Sequence, residues 1–251
     1  MRETDFVSGF ARGLKVIEAF GDMHQRLSIT DAAKLTELDR ATVRRSLLTL
    51  SELGYADYDG KFFTLTPKVL RLGHAYLSAT PLPAILQPHL DLLSEKAGQS
   101  ASASVLDGTE ILYIARASQR RVMSINLTPG SRLPAYCASM GRVLLAALPQ
   151  AEARAILARS DLKANTPRTI TNPEKLIAEF QRVRAQGYAV IDQELELGLC
   201  SIAVPVENDR GQLICALNIG APAAHASAEE MVTRYLPLMK ETQAALRLVL
   251  R

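Results

Sequence analysis

Residues 28–66 read SITDAAKLTELDRATVRRSLLTLSELGYADYDGKFFTLT, and the architecture of the N-terminal part of the chain follows from this stretch. It divides into a short helix, a tight turn, a longer helix and a β-hairpin. The pair Asp59-Gly60 predicts a two-residue type I′ turn for that hairpin. This order of elements is typical of a winged helix-turn-helix, which places its second helix in a DNA major groove.

The second helix of this unit is recognisable from its ends and from its apolar positions. Asp39 is a good N-cap, and Gly54 suits a helix end that needs a positive φ. Val43, Leu47 and Leu50 recur at helical spacing and are expected to face a small core.

The face opposite these apolar residues carries the arginines of the predicted DNA contact. Arginine can form two parallel hydrogen bonds with guanine or can bind phosphates. A solvated basic helix face is the alternative, but the preceding helix and the following hairpin favour DNA. The predicted DNA-binding residues are Arg40, Ala41, Thr42, Arg44, Arg45 and, near the tip of the wing, Lys61.

Two further helices complete the predicted N-terminal domain. Leu14 to Phe20 marks a first helix beneath the pair. Thr30 is the expected N-cap of the next helix, with Ala33 and Leu35 facing the core.

Composition excludes several classes of protein. The formal net charge is only +3 in 251 residues, so a nonspecific basic coat for nucleic acid is not expected. Neither a membrane-spanning apolar run nor a secretory signal is present, which predicts a cytoplasmic protein with no membrane partner. The three cysteines and four histidines lack ligand spacing, so we expect no metal site and no cofactor.

The predicted domain boundaries lie close to prolines that interrupt the predicted helices and strands. Residues 1–68 form the winged helix, 69–80 a linker helix that could contact a second copy, and 81–251 a larger domain that begins near Pro81 and Pro83. In the larger domain we expect α+β architecture around an antiparallel sheet. Its predicted strands are 100–106, 110–115, 122–126, 188–191, 201–206 and 212–219, and its predicted helices are 83–96, 140–148, 150–159, 173–186 and 227 to the end.

Several motifs in this order resemble the IclR family of bacterial transcriptional regulators over nearly the whole chain. They are RGLKVIEAF at 12–20, TVRRSL at 42–47, SELGY at 51–55, YDGKF at 58–62, LPAYCASMGRVLLA at 133–146, QGYAV at 186–190, DQE at 192–194 and IAVPV at 202–206. RRVM at 120–123, RLPAY at 132–136 and SMGR at 139–142 resemble the PcaR, PcaU and PobR subgroup, which controls aromatic-acid catabolism through the β-ketoadipate pathway.

The resemblance implies a GAF-like effector domain, a dimer or tetramer, and an inverted-repeat operator in double-stranded DNA, with RNA polymerase as a partner if the protein activates. The implied effector is a small organic or aromatic acid such as protocatechuate, 4-hydroxybenzoate or β-ketoadipate. The family's pocket falls here on Cys137, Ser139, Met140, Asp192, Ser201, Asn218 and Gly220. Ser139-Met140 stands where many members have Gly-Ala, Ser201 replaces a frequent cysteine, and Asn218 and Gly220 replace serines.

A buried carboxylate needs donors and usually a cation, because an unpaired buried anion is very costly. The candidate cations in the matching region are Arg116, Arg121, Arg132 and Arg142, although each could instead be a surface side chain or an internal ion pair with Asp192 or Glu194. Tyr136, with Met140 and Leu133, could sandwich an aromatic ring.

Other functions remain open at this level. The chain could be an IclR-type regulator of another carbon-source pathway that senses a different carboxylate, or a winged-helix protein whose second domain only dimerises. An enzyme with Cys137 or Cys200 as nucleophile is the alternative from another class, but no catalytic motif supports it. We therefore expect no enzymatic activity.

Overall fold

The computed structural model describes residues 6–21, 24–79, 81–119 and 127–250, with the side chains of 76–78 left out. The chain divides into two compact units, Met1–Thr80 and Pro81–Arg251. Each unit has its own buried core, and the two are considered separately.

The N-terminal unit is a winged helix-turn-helix, as predicted. A small antiparallel sheet of order β1-β3-β2 packs against three helices, and a 3₁₀ turn at Pro67–Val69 leads into a fourth helix. In chain order the elements are α1 (Ser8–Glu18), β1 (Arg26–Leu27), α2 (Ile29–Thr36), α3 (Arg40–Glu52), β2 (Ala56–Tyr58), β3 (Phe63–Leu65) and α4 (Leu70–Ala79).

Helix α3 begins and ends where its sequence predicts. The Asp39 carboxylate accepts a hydrogen bond from the Thr42 backbone N–H at 2.8 Å, and Gly54 takes a φ of +74° just beyond the helix. Val43, Leu47 and Leu50 are buried in the core of this unit. The cap satisfies one of the free N–H groups of the first turn and fixes where the exposed arginines lie along the helix.

The prediction for helix α2 was wrong in detail. Ser28, rather than Thr30, is the N-cap, because Ser28 and Asp31 form a reciprocal capping box. Of the two residues predicted to face the core, Ala33 packs against it and Leu35 does not. Ala32 and Thr36 are buried, whereas Leu35 is 44% exposed.

The turn of the wing also differs from the predicted type I′ hairpin. Tyr58 pairs with Phe63, so the loop has four residues rather than two. The Asp59 carboxylate accepts hydrogen bonds from the backbone N–H groups of Lys61 (2.9 Å) and Phe62 (2.7 Å). These side-chain bonds stabilise a wider loop than the Asp-Gly pair alone suggests.

The C-terminal unit is built on an antiparallel sheet with strand order β6-β5-β4-β9-β8-β7. This arrangement confirms the predicted α+β class. Its elements are α5 (Leu82–Ala97), β4 (Ser100–Asp107), β5 (Glu110–Ala117), β6 (Arg132–Pro134), α6 (Ser139–Ala147), α7 (Gln150–Arg159), α8 (Pro173–Gln186), β7 (Ala189–Asp192), β8 (Leu199–Glu207), β9 (Leu213–Pro222), α9 (Ala228–Glu230) and α10 (Leu236–Val249).

The sheet separates two hydrophobic cores. Helices α6, α7 and α8 cover one face, and α5 and α10 pack on the other. The sequence did not indicate β6, and the strand predicted at 122–126 lies outside the described residues. A π-helical turn, Met231–Tyr235, joins α9 to α10.

A β-bulge between β4 and β5 changes which side chains share a face. Ala103 pairs with Ala115 and Ser104 with Tyr113, which leaves Ile114 as the extra residue of β5. In a regular strand without a bulge, Tyr113 and Arg116 are three residues apart and would lie on opposite faces. With it, both face the side covered by α6.

Candidate ligand cavity and nucleic-acid interface

The exposed face of α3 carries the predicted arginines. Arg40, Arg44 and Arg45 are exposed, as is Ala41. Among the described residues, none of these arginines forms an ion pair with a carboxylate. The described residues of this unit thus leave these arginines without a salt bridge, which suits contact with a polyanion.

Thr42 differs from the other residues predicted to contact DNA. Its side chain is buried, with 6% of the residue exposed. Its hydroxyl oxygen accepts a hydrogen bond from Arg45 at 3.3 Å. Because it faces inward at the helix start, Thr42 supports Arg45 rather than presenting itself at the surface.

Lys61 lies exposed in the wing loop, as expected. Its ammonium nitrogen is 5.2 Å from the centre of the Phe62 ring.

A narrow cavity lies between the sheet and the N-terminal end of α6. Its volume is about 30 Å³, close to what one or two water molecules need, so an aromatic acid requires the lining side chains to move apart. The lining residues are Ser100, Ile111, Tyr113, Arg116, Leu127, Leu133, Ala138, Ser139, Met140, Leu195, Leu199, Ser201, Asn218 and Gly220.

Strand register arranges the polar residues of the cavity in two rows. Arg116, Ser102 and Asn218 are neighbours across β5, β4 and β9. In the next row, Gly220 lies between Ser100 on β4 and Ser201 on β8. Since adjacent strands are about 4.8 Å apart, each row spans roughly the length of a small organic acid.

Arg116 supplies the positive charge of the cavity. Its guanidinium donates to the Ser102 hydroxyl at 2.8 Å and to the Ser118 hydroxyl at 3.0 Å. Within the described residues it has no carboxylate partner. Burial lowers the pKa of Arg116 from its ordinary value, but an arginine stays protonated at neutral pH. Among the described residues, the guanidinium of this cavity is therefore held by two hydroxyl groups and by no carboxylate.

Tyr113 lies next to this cation in the lining. Burial raises its pKa to about 12, and the charge of Arg116 opposes that shift in part. The phenol is therefore neutral at physiological pH and can both donate and accept a hydrogen bond.

In the described part of the chain, two polar atoms of the cavity lack a hydrogen-bond partner. The Ser139 hydroxyl oxygen and the Asn218 side-chain carbonyl oxygen are buried and form no hydrogen bond among the described residues. Buried polar groups are rarely left in this state. A bound ligand or ordered water would supply the missing bonds.

Ser139 also begins α6, so the first N–H groups of this helix have no partner within it. The N-terminal end of α6 packs closely against the backbone at Ala135. A Cβ on Gly141 would lie 2.2 Å from the Ala135 carbonyl oxygen, so only glycine fits there.

The structure places four of the predicted pocket residues elsewhere. Arg132 pairs with Asp107 (2.6 Å) and Glu110 (2.7 Å) on the exposed surface. The Tyr136 hydroxyl donates to the Lys163 carbonyl at 2.5 Å. These side chains, together with Cys137 and Asp192, do not line the cavity. Of the remaining predicted cations, Arg121 lies outside the described residues.

Asp192 is occupied by other partners. It pairs with Arg168 and accepts hydrogen bonds from Gln193 at 3.0 Å and from the Cys200 thiol at 3.1 Å. Burial by itself would raise the pKa of Asp192, but these bonds and the charge of Arg168 lower it overall. A carboxylate with this many donors is already satisfied.

Arg142 is an internal ion pair, the alternative that the sequence left open. It is 1% exposed and donates to Glu194 at 2.6 Å and to the Tyr136 carbonyl at 3.0 Å, with Glu179 at 3.6 Å. These contacts tie α6 to the loop after β7, which contributes Leu195 to the cavity. Arg142 therefore holds two walls of the cavity in place without lining it.

The cysteines do not have the properties of nucleophiles. Burial raises the pKa of Cys137 to about 11 and the pKa of Cys200 to about 12. A reactive cysteine needs a lowered pKa, because the thiolate is the attacking species. Within the described parts of the chain, no group of histidine, cysteine and carboxylate side chains could hold a metal ion. In those same parts, the helices are too short or too polar to span a bilayer.

Several residues of the cavity were not predicted from the sequence. Ser100, Ser102 and Tyr113 were not predicted, nor were Leu127, Leu195 and Leu199. One signal was available: serine alternates with alanine from Ser100 to Ser104, which places three hydroxyls on one face of a buried strand. The leucines carry no comparable signal, because apolar residues line most of the interior.

Comparisons with known proteins agree with this architecture. Residues 10–60 match the IclR helix-turn-helix domain, and residues 74–247 match the family described as bacterial transcriptional regulator IclR C-terminal. Together the two matches cover most of the chain.

Three similar proteins illustrate the relationship. The Pca regulon regulatory protein of Pseudomonas putida is 50% identical over 94% of this chain and 82% of its own length. The crystal structure of a transcriptional regulator from Rhodococcus sp. RHA1 is 46% identical with a TM-score of 0.80, covering 97% of this chain and 98% of that one. The inducer-binding domain of a PobR double mutant from Acinetobacter, in complex with 3-hydroxybenzoic acid, is 33% identical with a TM-score of 0.62, covering 66% and 97%.

Proposed function

Because the chain belongs to the IclR family of bacterial transcriptional regulators, we propose that it regulates aromatic-acid catabolism genes in response to a small acid bound in the C-terminal cavity. The winged helix binds the operator, and the bound acid changes the affinity of the protein for that operator. The protein is a regulator and has no catalytic role.

Arg116 carries this proposal. A guanidinium that donates to two hydroxyls and pairs with no carboxylate of the described residues is suited to the carboxylate of a ligand. The unpartnered oxygens of Ser139 and Asn218 are available to hydroxyl groups elsewhere on the same molecule. The apolar remainder of the lining, including Met140 and Leu133, suits an aromatic ring.

Two similar proteins support an aromatic acid in particular. One is named as the regulator of the Pca regulon, and the other is a PobR domain in complex with 3-hydroxybenzoic acid. Candidate effectors are therefore hydroxybenzoates, protocatechuate and β-ketoadipate. The operator is proposed to be an inverted repeat bound by a dimer or tetramer, with RNA polymerase as a further partner if the protein activates.

The test is a thermal-shift screen followed by calorimetry with 4-hydroxybenzoate, 3-hydroxybenzoate, protocatechuate, β-ketoadipate and glyoxylate. A ligand at about a hundred times its dissociation constant stabilises the native state by roughly 2.7 kcal/mol. We expect a shift with an aromatic acid in the wild type and its loss in Arg116→Gln. Arg132→Gln is the matched control, since that arginine lies on the surface.

Two results would contradict the proposal. Equal ligand affinity in the wild type and Arg116→Gln would remove Arg116 from the site. A response to glyoxylate alone would indicate a regulator of a different carbon-source pathway.

A further inference from the structure

An arginine outside the recognition helix is held beside the wing. Arg26 lies on β1, which pairs with β3 so that Arg26 is opposite Thr64. Its guanidinium carbon is 4.0 Å from the centre of the Phe62 ring. The Lys61 ammonium lies 5.2 Å from the same ring centre. One aromatic ring of the wing loop therefore holds two cations.

Within the described part of the chain, neither cation is held in a salt bridge with a carboxylate. Asp59 is the acid nearest to Lys61 in the chain, and its carboxylate accepts the backbone N–H groups of Lys61 and Phe62. Those bonds hold the pKa of Asp59 below its ordinary value, with a smaller contribution from the charge of Arg26.

Stacking on Phe62 also prepares Arg26 for a ligand. An exposed cation–π contact contributes little to stability, so stability alone does not explain two cations on one ring. The contact with Phe62 does restrict the long side chain of Arg26. The N–H groups at the edge of the guanidinium stay free, since Arg26 donates no side-chain hydrogen bond within the described residues. Restricting the side chain beforehand lowers the entropy cost of binding an anion.

We propose that Arg26, stacked on Phe62, binds a phosphate of the DNA backbone beside the wing and so acts with Lys61 as a second anchor. This inference rests on the proposed DNA-binding function. Arg26 is assigned to a phosphate because phosphate contacts set the position of a protein on the duplex, whatever the base sequence.

The experiment uses the full chain and a mixed-sequence DNA duplex, because a phosphate contact does not require the operator. Dissociation constants are measured over a series of salt concentrations. In Arg26→Ala we expect affinity to fall about threefold to tenfold. The slope of log affinity against log salt, which is negative, should become less steep by about 0.9, the change for one lost phosphate contact. Phe62→Leu keeps both charges, so its affinity should fall while its slope stays the same.

Lys175→Ala is the matched control, because it removes one exposed positive charge from the C-terminal unit. It should leave both affinity and slope unchanged. Arg26→Lys should restore the slope but only part of the affinity, since it keeps the charge without the planar stack.

Two outcomes overturn the inference, and they differ from each other. If the wild type binds the duplex and Arg26→Ala matches it in affinity and slope, Arg26 has no phosphate contact. If the wild type does not bind duplex DNA at any salt concentration, the proposed function fails and this inference fails with it.

Discussion

Single residues of the cavity should respond to mutation in opposite directions. The Ser139 hydroxyl has no hydrogen-bond partner among the described residues, whereas the Ser102 hydroxyl accepts from Arg116 at 2.8 Å. Removing an unsatisfied buried hydroxyl relieves a cost, so Ser139→Ala should raise the free energy of unfolding of the ligand-free protein by about 1 kcal/mol. Ser102→Ala should lower it by about 1.5 kcal/mol, because it removes a partner of a charged group.

Denaturant unfolding of both variants without ligand checks these signs, and calorimetry checks binding. Ser139→Ala should also weaken binding of the effector several-fold, although it stabilises the free protein. A loss of stability in Ser139→Ala comparable with that in Ser102→Ala would mean that the Ser139 hydroxyl has a structural partner.

The buried ion pair of Arg142 and Glu194 is expected to make stability sensitive to the loss of either partner. Arg142→Met leaves Glu194, whose side chain is 9% exposed, without its cation. Breaking one half of a buried pair costs about 3–5 kcal/mol, whereas an apolar replacement of the whole pair is often tolerated.

Unfolding of Arg142→Met, Glu194→Gln and the double variant forms a mutant cycle for this pair. We expect the double variant to be more stable than the sum of the two single losses predicts. Strict additivity would show that the two side chains do not interact.

Among the structural elements, helix α3 depends on a cap that titrates. Hydrogen bonds with Thr42 hold the pKa of Asp39 below its ordinary value of 3.8. A depressed folded pKa means that the stabilisation is present above pH 3.8 and is lost as the pH falls through the folded pKa. Asparagine caps a helix about as well as aspartate but does not titrate.

Thermal unfolding of the wild type, Asp39→Asn and Asp39→Ala across the acid range tests this cap. At neutral pH we expect the wild type and Asp39→Asn to be similar and Asp39→Ala to unfold a few degrees lower. Below pH 4 the wild type should lose stability relative to Asp39→Asn. A difference between these two that does not change with pH would exclude a titrating cap.

Elements with local signals were predictable, and elements set by distant contacts were not. Asp39 and Gly54 mark α3 because a cap and a positive φ are properties of the local sequence. The Asn172 cap and Gly187 bound α8 for the same reason. The three-residue strand β6 has no such signal, because its pairing with β5 is what makes it a strand.

If the two units are coupled, the acid and the operator should affect each other's binding equally. If the acid changes operator affinity by a given factor, the operator must change acid affinity by the same factor. We expect a coupling of about fivefold to 150-fold, the usual range for linked sites. Titrations of acid with and without the operator, and of operator with and without acid, measure both factors. Unequal factors in one buffer would rule out a single coupled equilibrium.

The overall architecture followed from the sequence more readily than the site did. A winged helix and an antiparallel sheet were both predicted, because periodicity and turn residues are distributed along the chain. Which of the candidate arginines lines the cavity was not predicted. Arg132, Arg142 and Arg116 have the same chemistry. Carboxylates that the fold brings close make Arg132 a surface ion pair and Arg142 an internal one, whereas Arg116 lines the cavity.

The bulge at Ile114 makes this part of β5 tolerant of a change in length. Arg116 pairs with Ser102 on β4, and Tyr113 pairs with Ser104 although β5 contains one residue more than the stretch of β4 between these pairs. A one-codon deletion of Ile114 would give regular alternation, and Tyr113 and Arg116, then two residues apart, would still lie on the same face of the sheet. Descendants of a common ancestor could thus gain or lose one codon here and keep the guanidinium in the cavity.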